Sequence, residues 1–340
     1  MGKRILRFLQ YFIFLGGGIF LVWWQLKSMT PAEKAEFTFS LSHANFRLLI
    51  PVAVMSLLSH ISRSMRWKLL MEPLGYKPSL MNAFGVTMVG YLANSAIPRL
   101  GEILKCTLLG RYEKLKVDKL VGTIIVERSF DVICYIFLVF ITVILQFDKV
   151  DTYIKEHIHL PNNTMAVPFW VKPLVFLVLL LLLFLLIRKL FRRLNHVPFI
   201  HKVNSFFSGV KTGFTSIRQL KKRKQFLLHT VFIWAMYLGQ IYVGFKSMEG
   251  THHLGLQAAV SVLTLASLSI IITPGGIGSF PIFVMETLTL YQIHEPLGKA
   301  FGWLMWGVST GFIIFFGVIC LLILPYINNK INESNTAHPS

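Results

Sequence analysis

Six stretches of this chain stay apolar for about the length of a membrane span, and that pattern leaves few folds open. They cover residues 8–26, 46–64, 120–147, 169–187, 226–247 and 300–327. A helix of about 20 residues crosses roughly 30 Å of hydrocarbon. Within that layer each backbone N–H and C=O must find its partner inside the chain, which favours helices over open strands. Only 14% of the 340 residues are charged and 54% are hydrophobic, whereas a soluble domain carries about 25% charged residues. The expected fold class is an all-α polytopic membrane protein, and a soluble enzyme is excluded.

Two further apolar regions are broken. The first, 80–110, is interrupted at Asn94-Ser95-Ala96-Ile97-Pro98-Arg99-Leu100-Gly101-Glu102, and the second, 256–291, at Thr273-Pro274-Gly275-Gly276-Ile277-Gly278-Ser279. Proline lacks the N–H that a helix needs, and glycine has no Cβ, so a helix should end at each break. Charge decides whether each region crosses or turns back. Loop 188–225 carries eleven Lys and Arg residues, and Lys3, Arg4 and Arg7 precede the first span. By the positive-inside rule both belong to the cytoplasm. A single crossing at 80–110 would put loop 188–225 outside, so a re-entrant pair is expected there. The same parity makes 256–291 a re-entrant pair opening on the other side.

The expectation is therefore six full spans plus two re-entrant helix pairs, about eight hydrophobic segments in all. Residues 1–147 and 169–327 form two halves of an inverted repeat. Both termini would be cytoplasmic, in the inner (cytoplasmic) cell membrane. Residues 148–168 read as an outer loop, 188–225 as a basic cytoplasmic loop with a surface helix near 200–220, and 328–340 as a disordered tail. Full spans in place of the re-entrant pairs, giving about eight crossings, are the alternative.

The net charge of +19 would suggest nucleic acid on a soluble chain. Here the cations flank apolar runs, so attraction to anionic lipid is expected and nucleic acid is not. Cys106, Cys134 and Cys320 lie in apolar stretches without ligand spacing. His252-His253 has no partners at metal-binding distance in sequence. No metal, no cofactor and no catalytic residue is expected, nor a cleaved leader.

Charge inside hydrocarbon is costly and so marks function. Arg99, Glu102 and Lys105 are spaced by three, on adjacent turns of one helix face. Glu127 and Asp131 share a face, and Arg128 can pair with Asp131; an internal salt bridge is the plain alternative. Glu286 follows the second break, where an outer-interface position is the alternative. Gly275, Gly276 and Gly278 form a tight turn between half-helices, let amides approach an anion at the next helix N-terminus, or do both. Arg63 and Arg66, with Trp67 and Lys68, read as interface anchors or as phosphate contacts at a cavity mouth. Gly298, Gly302, Gly307 and Gly311 fit helix packing.

At these residues the chain resembles the transmembrane flippase region of lysylphosphatidylglycerol synthase. The matching segments are Arg63-Ser64-Met65-Arg66-Trp67, Gly90-Tyr91-Leu92-Ala93-Asn94, Pro98-Arg99-Leu100-Gly101-Glu102, Glu127-Arg128-Ser129-Phe130-Asp131 and Pro274-Gly275-Gly276-Ile277-Gly278. The resemblance covers about 45–325 and implies movement of a lipid between leaflets. The substrate would be a phospholipid or a polyprenyl-phosphate lipid. The family's aminoacyl-transferase domain would follow the membrane region, and the chain ends at Ser340, so lysyl transfer is not expected. Arg63, Arg66, Asn94, Arg99, Glu102, Glu127, Arg128, Asp131, Gly275, Gly276, Gly278 and Glu286 are the candidate substrate-binding residues. A membrane-embedded transferase on lipid-linked substrates is the rival reading, as is an accessory subunit of a separate synthase. An oligomer is compatible with either.

Overall fold

The computed structural model describes residues 16–157 and 220–337. Among these residues the chain is helical throughout, with no strand. Residues 16–28 form α1. Then come α2 (Pro31–Ser42), α3 (Leu49–Met71), α4 (Leu80–Ala96), α5 (Leu100–Tyr112) and α6 (Val117–His157). The second half supplies α7 (Arg223–Phe245), α8 (Leu256–Ile272), α9 (Ser279–Thr289) and α10 (Glu295–Ala337). Four segments are long and apolar enough to cross a membrane: Phe46–Leu74, Val117–Gln146, Arg223–Phe245 and Glu295–Asn329. They match four of the expected spans. Residues 8–15 of the first span lie outside the described residues, as do all of 169–187 and the region of the expected surface helix.

The chain divides into two compact units, residues up to Ile124 with those from Gln219 on, and Ile125–Arg218. In the first unit both broken regions are helical hairpins. Ser79 caps α4, its hydroxyl accepting from the Asn82 N–H at 3.1 Å, a favoured way to satisfy a free amide at a helix start. The helix stops where Ile97, just before Pro98, turns extended (φ −133°, ψ 113°). Thr273, just before Pro274, does the same at the end of α8 (φ −128°, ψ 149°). A residue preceding proline is pushed out of the helical region by the proline ring. One device therefore makes both breaks.

Each hairpin begins and ends together. The Glu113 carboxylate, just past α5, accepts from the Ser79 N–H at 2.9 Å and from the Asn82 amide at 2.7 Å, so the start of α4 and the end of α5 are joined. Ser261, early in α8, lies 3.1 Å from the Tyr291 hydroxyl beyond α9. α5 has 13 residues and α9 has 11, about 20 and 16 Å at the α-helical rise. Neither is long enough to cross alone.

The two hairpins open at opposite ends of this unit. At one end Lys222 pairs with Glu72 at 2.6 Å, and Asn82 and Asn328 exchange amide hydrogen bonds at 2.9 and 3.1 Å. At the other end the Asn45 N–H donates to Ser247 O at 2.7 Å, and Glu36 faces His294 at 4.0 Å. Each hairpin has its own apolar core. The α4–α5 pair packs with Trp67, Met71, Leu120 and Leu324. The α8–α9 pair packs with Val52, Phe245, Phe301 and Met305.

Two expectations need correction. Residues 148–157 continue α6 instead of forming loop, and residues 328–337 continue α10 instead of a disordered tail. Neither stretch contains glycine or proline, so nothing ends the helix. α2 was not anticipated: Thr30 and Glu33 form a capping box at its start, which holds the Glu33 carboxyl below its ordinary pKa. The glycines of α10 divide. A Cβ at Gly298 would sit 3.2 Å from Met285 and one at Gly302 2.7 Å from Pro281, whereas Gly307 and Gly311 face open space.

Candidate functional site

Between the two apolar cores, α3 turns polar. Val52 belongs to one core and Trp67 to the other. The stretch between them buries Ser56, Ser59, His60, Ser62, Arg63, Ser64 and Arg66. On a helix this apolar at both ends, such a face needs partners, because lipid offers none. Most hydroxyls find them locally. Ser59 donates to Ser56 O at 2.7 Å, and Ser64 to His60 O at 3.0 Å. Ser62 reaches across to His229 Nδ1 on α7 at 2.8 Å.

The two arginines are not interface anchors. Arg66 is 0% exposed and Arg63 7%. Arg66 donates from Nη1 to Thr230 Oγ1 at 3.3 Å and lies over the Phe226 ring at 5.6 Å. Lys105 on α5 is buried as well, with its ammonium 3.9 Å from the centroid of the Trp67 ring. A cation over an indole face is attracted by the ring quadrupole, more strongly when desolvated. The Trp67 ring is fixed from its far side, since Nε1 donates to Thr123 Oγ1 at 2.8 Å. α3 and α5 thus carry three buried cations, Arg63, Arg66 and Lys105. Lys105 shares its spacing with Glu102, and that i,i+3 relation to a half-buried acid is the signal that marks it.

The hairpin tips meet in the middle of the unit. A Cβ on Gly275 would lie 3.5 Å from Ser95 Cα, so the two breaks touch. Gly275 is left-handed at φ +60°, a conformation glycine adopts without strain. Its carbonyl accepts from Trp306 Nε1 at 2.9 Å. Gly276 and Gly278 serve packing. The Gly276 N–H donates to Thr273 O at 3.0 Å. A Cβ on Gly278 would come within 2.7 Å of Gly18 O on α1, and Gln25 of α1 donates to Gly278 O at 2.8 Å. Close packing of α1 is therefore what Gly278 allows, whereas a Cβ on Gly276 would press on Ser269 and Phe280.

Asn94 also has a structural task. Its Oδ1 accepts from the Gly101 N–H at 2.7 Å, capping α5 across the break. Such a buried amide left without a partner costs about 1–3 kcal/mol. Arg99 sits at the tip with φ +69° and is exposed, and Glu102 is half-buried behind it. Glu286 is exposed on α9, apart from the buried cations. In the second unit, Glu127 is buried, Asp131 half-buried and Arg128 exposed, so α6 turns its two acids to one face and the arginine to another. Among the described residues no group of three or more His, Cys, Asp or Glu is placed to hold a metal.

The family model for the lysylphosphatidylglycerol synthase transmembrane region matches residues 8–317, nearly the whole chain. The chain belongs to this family. It is a membrane protein, and its four long apolar helices agree with that. A UPF0104 membrane protein of Methanocaldococcus jannaschii is 21% identical over 297 residues, covering 84% of this chain and 87% of that one. No solved structure matches. Family membership accounts for the motif segments that line the breaks, and the fold shows what several of them do: Asn94 and Gly101 lock one hairpin, while Pro274 and Gly275 shape the tip of the other.

Proposed function

We propose that this chain is a flippase-like transporter that moves a phospholipid or polyprenyl-phosphate lipid between leaflets. The observation that supports this most is the buried cationic face of α3 between two apolar cores. Arg63 and Arg66, joined by Lys105, suit the phosphate of a lipid head group, because guanidinium offers a planar fork to phosphate oxygens. Arg99 at the exposed tip would meet the head group on entry. Glu102 would supply balancing charge, with Glu286 at the margin of the path. Acyl or prenyl chains would stay in the surrounding lipid.

The hairpins would be re-entrant pairs in an inverted repeat, entering from opposite sides. Their meeting at Ser95 and Gly275 would close the path in the resting state. Lys77, Arg111, Lys114, Lys116 and Lys119 surround one end of the first unit together with Lys221–Lys224, which the positive-inside rule assigns to the cytoplasm. Single cysteines test this in a protein lacking the three native ones. Glu249→Cys and His294→Cys should react with an impermeant maleimide in intact cells. Lys77→Cys and Lys114→Cys should react only after permeabilisation. Labelling of all four from one side would remove the orientation.

Transport is tested in liposomes carrying fluorescent phosphatidylglycerol or a fluorescent polyprenyl phosphate, with dithionite quenching the outer leaflet. The folded protein should raise the quenched fraction of at least one lipid above about one half, the limit set by protein-free vesicles. Quenching equal to empty vesicles for both lipids overturns the transporter reading. Conversion of either lipid to a new product favours the transferase instead.

A further inference from the structure

We propose that His60 is a head-group contact, one turn beyond Arg63 toward the hairpin tips, donating from its ring to a phosphate oxygen of the lipid. This rests on the lipid-transport reading above. His60 is 7% exposed, and its Nδ1 has no hydrogen-bond partner among the described residues. Nearby on the same helix, Ser59 and Ser64 bond backbone carbonyls and Ser62 bonds His229. Buried polar atoms are nearly always paired, so an orphaned ring nitrogen asks for an explanation.

The surroundings place the ring beside the hairpin tip. The imidazole is bracketed by Tyr91 of α4 at 5.0 Å between ring centroids and by Phe312 of α10 at 5.8 Å. Tyr91 stands one turn before Ser95, where the tips meet. Movement of the α4–α5 hairpin would therefore uncover the ring edge at the same time as it parts the tips. A neutral imidazole can donate one hydrogen bond and accept another, and it enters hydrocarbon at less cost than a guanidinium. A phosphate handed on from Arg66 and Arg63 would meet it next along the same helix. The shared chemistry is a phosphate oxygen, from a phosphodiester or from a monophosphate.

Binding to the purified protein in maltoside detergent, which carries no phosphate, tests this. The probes are short-chain phosphatidylglycerol and farnesyl phosphate, each titrated calorimetrically. His60→Phe keeps the ring stacking and removes the donor, and should weaken whichever probe the wild type binds by roughly tenfold. His60→Asn, whose amide falls near the Nδ1 position, should stay within about threefold of wild type. Tight binding by His60→Phe overturns the proposal, as does equal loss in His60→Phe and His60→Asn. If His60→Phe does not fold, His60→Asn against His60→Gln decides: the Gln amide falls near Nε2, and equal affinity of the two overturns the Nδ1 contact. A wild type that binds neither probe fails the parent reading, and is told apart because no variant is then involved.

Discussion

Arg66→Ala is expected to lower lipid movement in liposomes by roughly ten- to a hundredfold, the value of a hydrogen bond to a charged group of about 1.5–3 kcal/mol. Arg66 is fully buried in a helix long and apolar enough to cross a membrane, so its charge is held away from water and interacts strongly with any phosphate that reaches it. Arg66→Lys retains the charge but loses the fork and should fall between alanine and wild type. Arg111→Ala, on an exposed side chain at the end of α5, should leave the rate within about twofold. Thr230 holds the Arg66 guanidinium from α7, and gel filtration with circular dichroism establishes that each variant is folded. A folded Arg66→Ala protein moving lipid at the wild-type rate would remove Arg66 from the path.

Gly101→Val is expected to prevent the first hairpin from closing. A Cβ at Gly101 would collide with the Gly90 carbonyl oxygen and would lie 2.6 Å from Asn94 Cγ. Overpacking costs about 1–3 kcal/mol where side chains can yield. Here one wall is backbone, and pushing it away also strips the Gly101 N–H of its Asn94 partner, adding about 1 kcal/mol. The sum is a large share of the stability of a helical hairpin, so loss of folded yield or of thermal stability in detergent should follow. Gly307→Val is the control, since a Cβ there meets nothing within 4 Å. Its stability should stay within about 0.5 kcal/mol of wild type. Equal stability of the two variants would show that the helices of the hairpin do not depend on the Gly90–Gly101 contact.

Much of the fold was legible because hydrocarbon imposes simple arithmetic. Span length follows from bilayer thickness, and Pro98 and Pro274 end helices by local sterics, whatever lies around them. Charge parity led to hairpins at 80–110 and 256–291, and Glu113 and Tyr291 now tie the ends of those hairpins together. Helix ends were less legible. Residues 148–157 and 328–337 are polar enough to read as loop, yet they lack a breaker and continue their helices. The α2 capping box, Thr30 with Glu33, was present in the sequence as a start signal but lay in a stretch too short to register as a span.

The candidate site was legible as a set of residue types but not as an arrangement. Arg63 and Arg66 could equally have anchored the membrane surface, because a helix end and a buried turn carry the same letters. Arg66 packs against Thr230 and Phe226 of α7, more than 150 residues away along the chain, a distance over which sequence spacing says nothing. Asn94 and Gly101 are near neighbours in sequence, yet only the folded break shows that the amide caps the next helix. Gly278 carries the composition of an anion-binding turn, and only the folded chain shows that α1 packs against it.

Hydropathy, proline and charge thus determined by themselves that this chain is a helical membrane protein with two folded-back breaks, since each acts over one or two helical turns. Which polar groups share a space was decided by tertiary structure alone. Lys105 against Trp67, Ser95 against Gly275 and His60 between Tyr91 and Phe312 are contacts between helices, and no local rule in the sequence specifies which faces of two helices will meet.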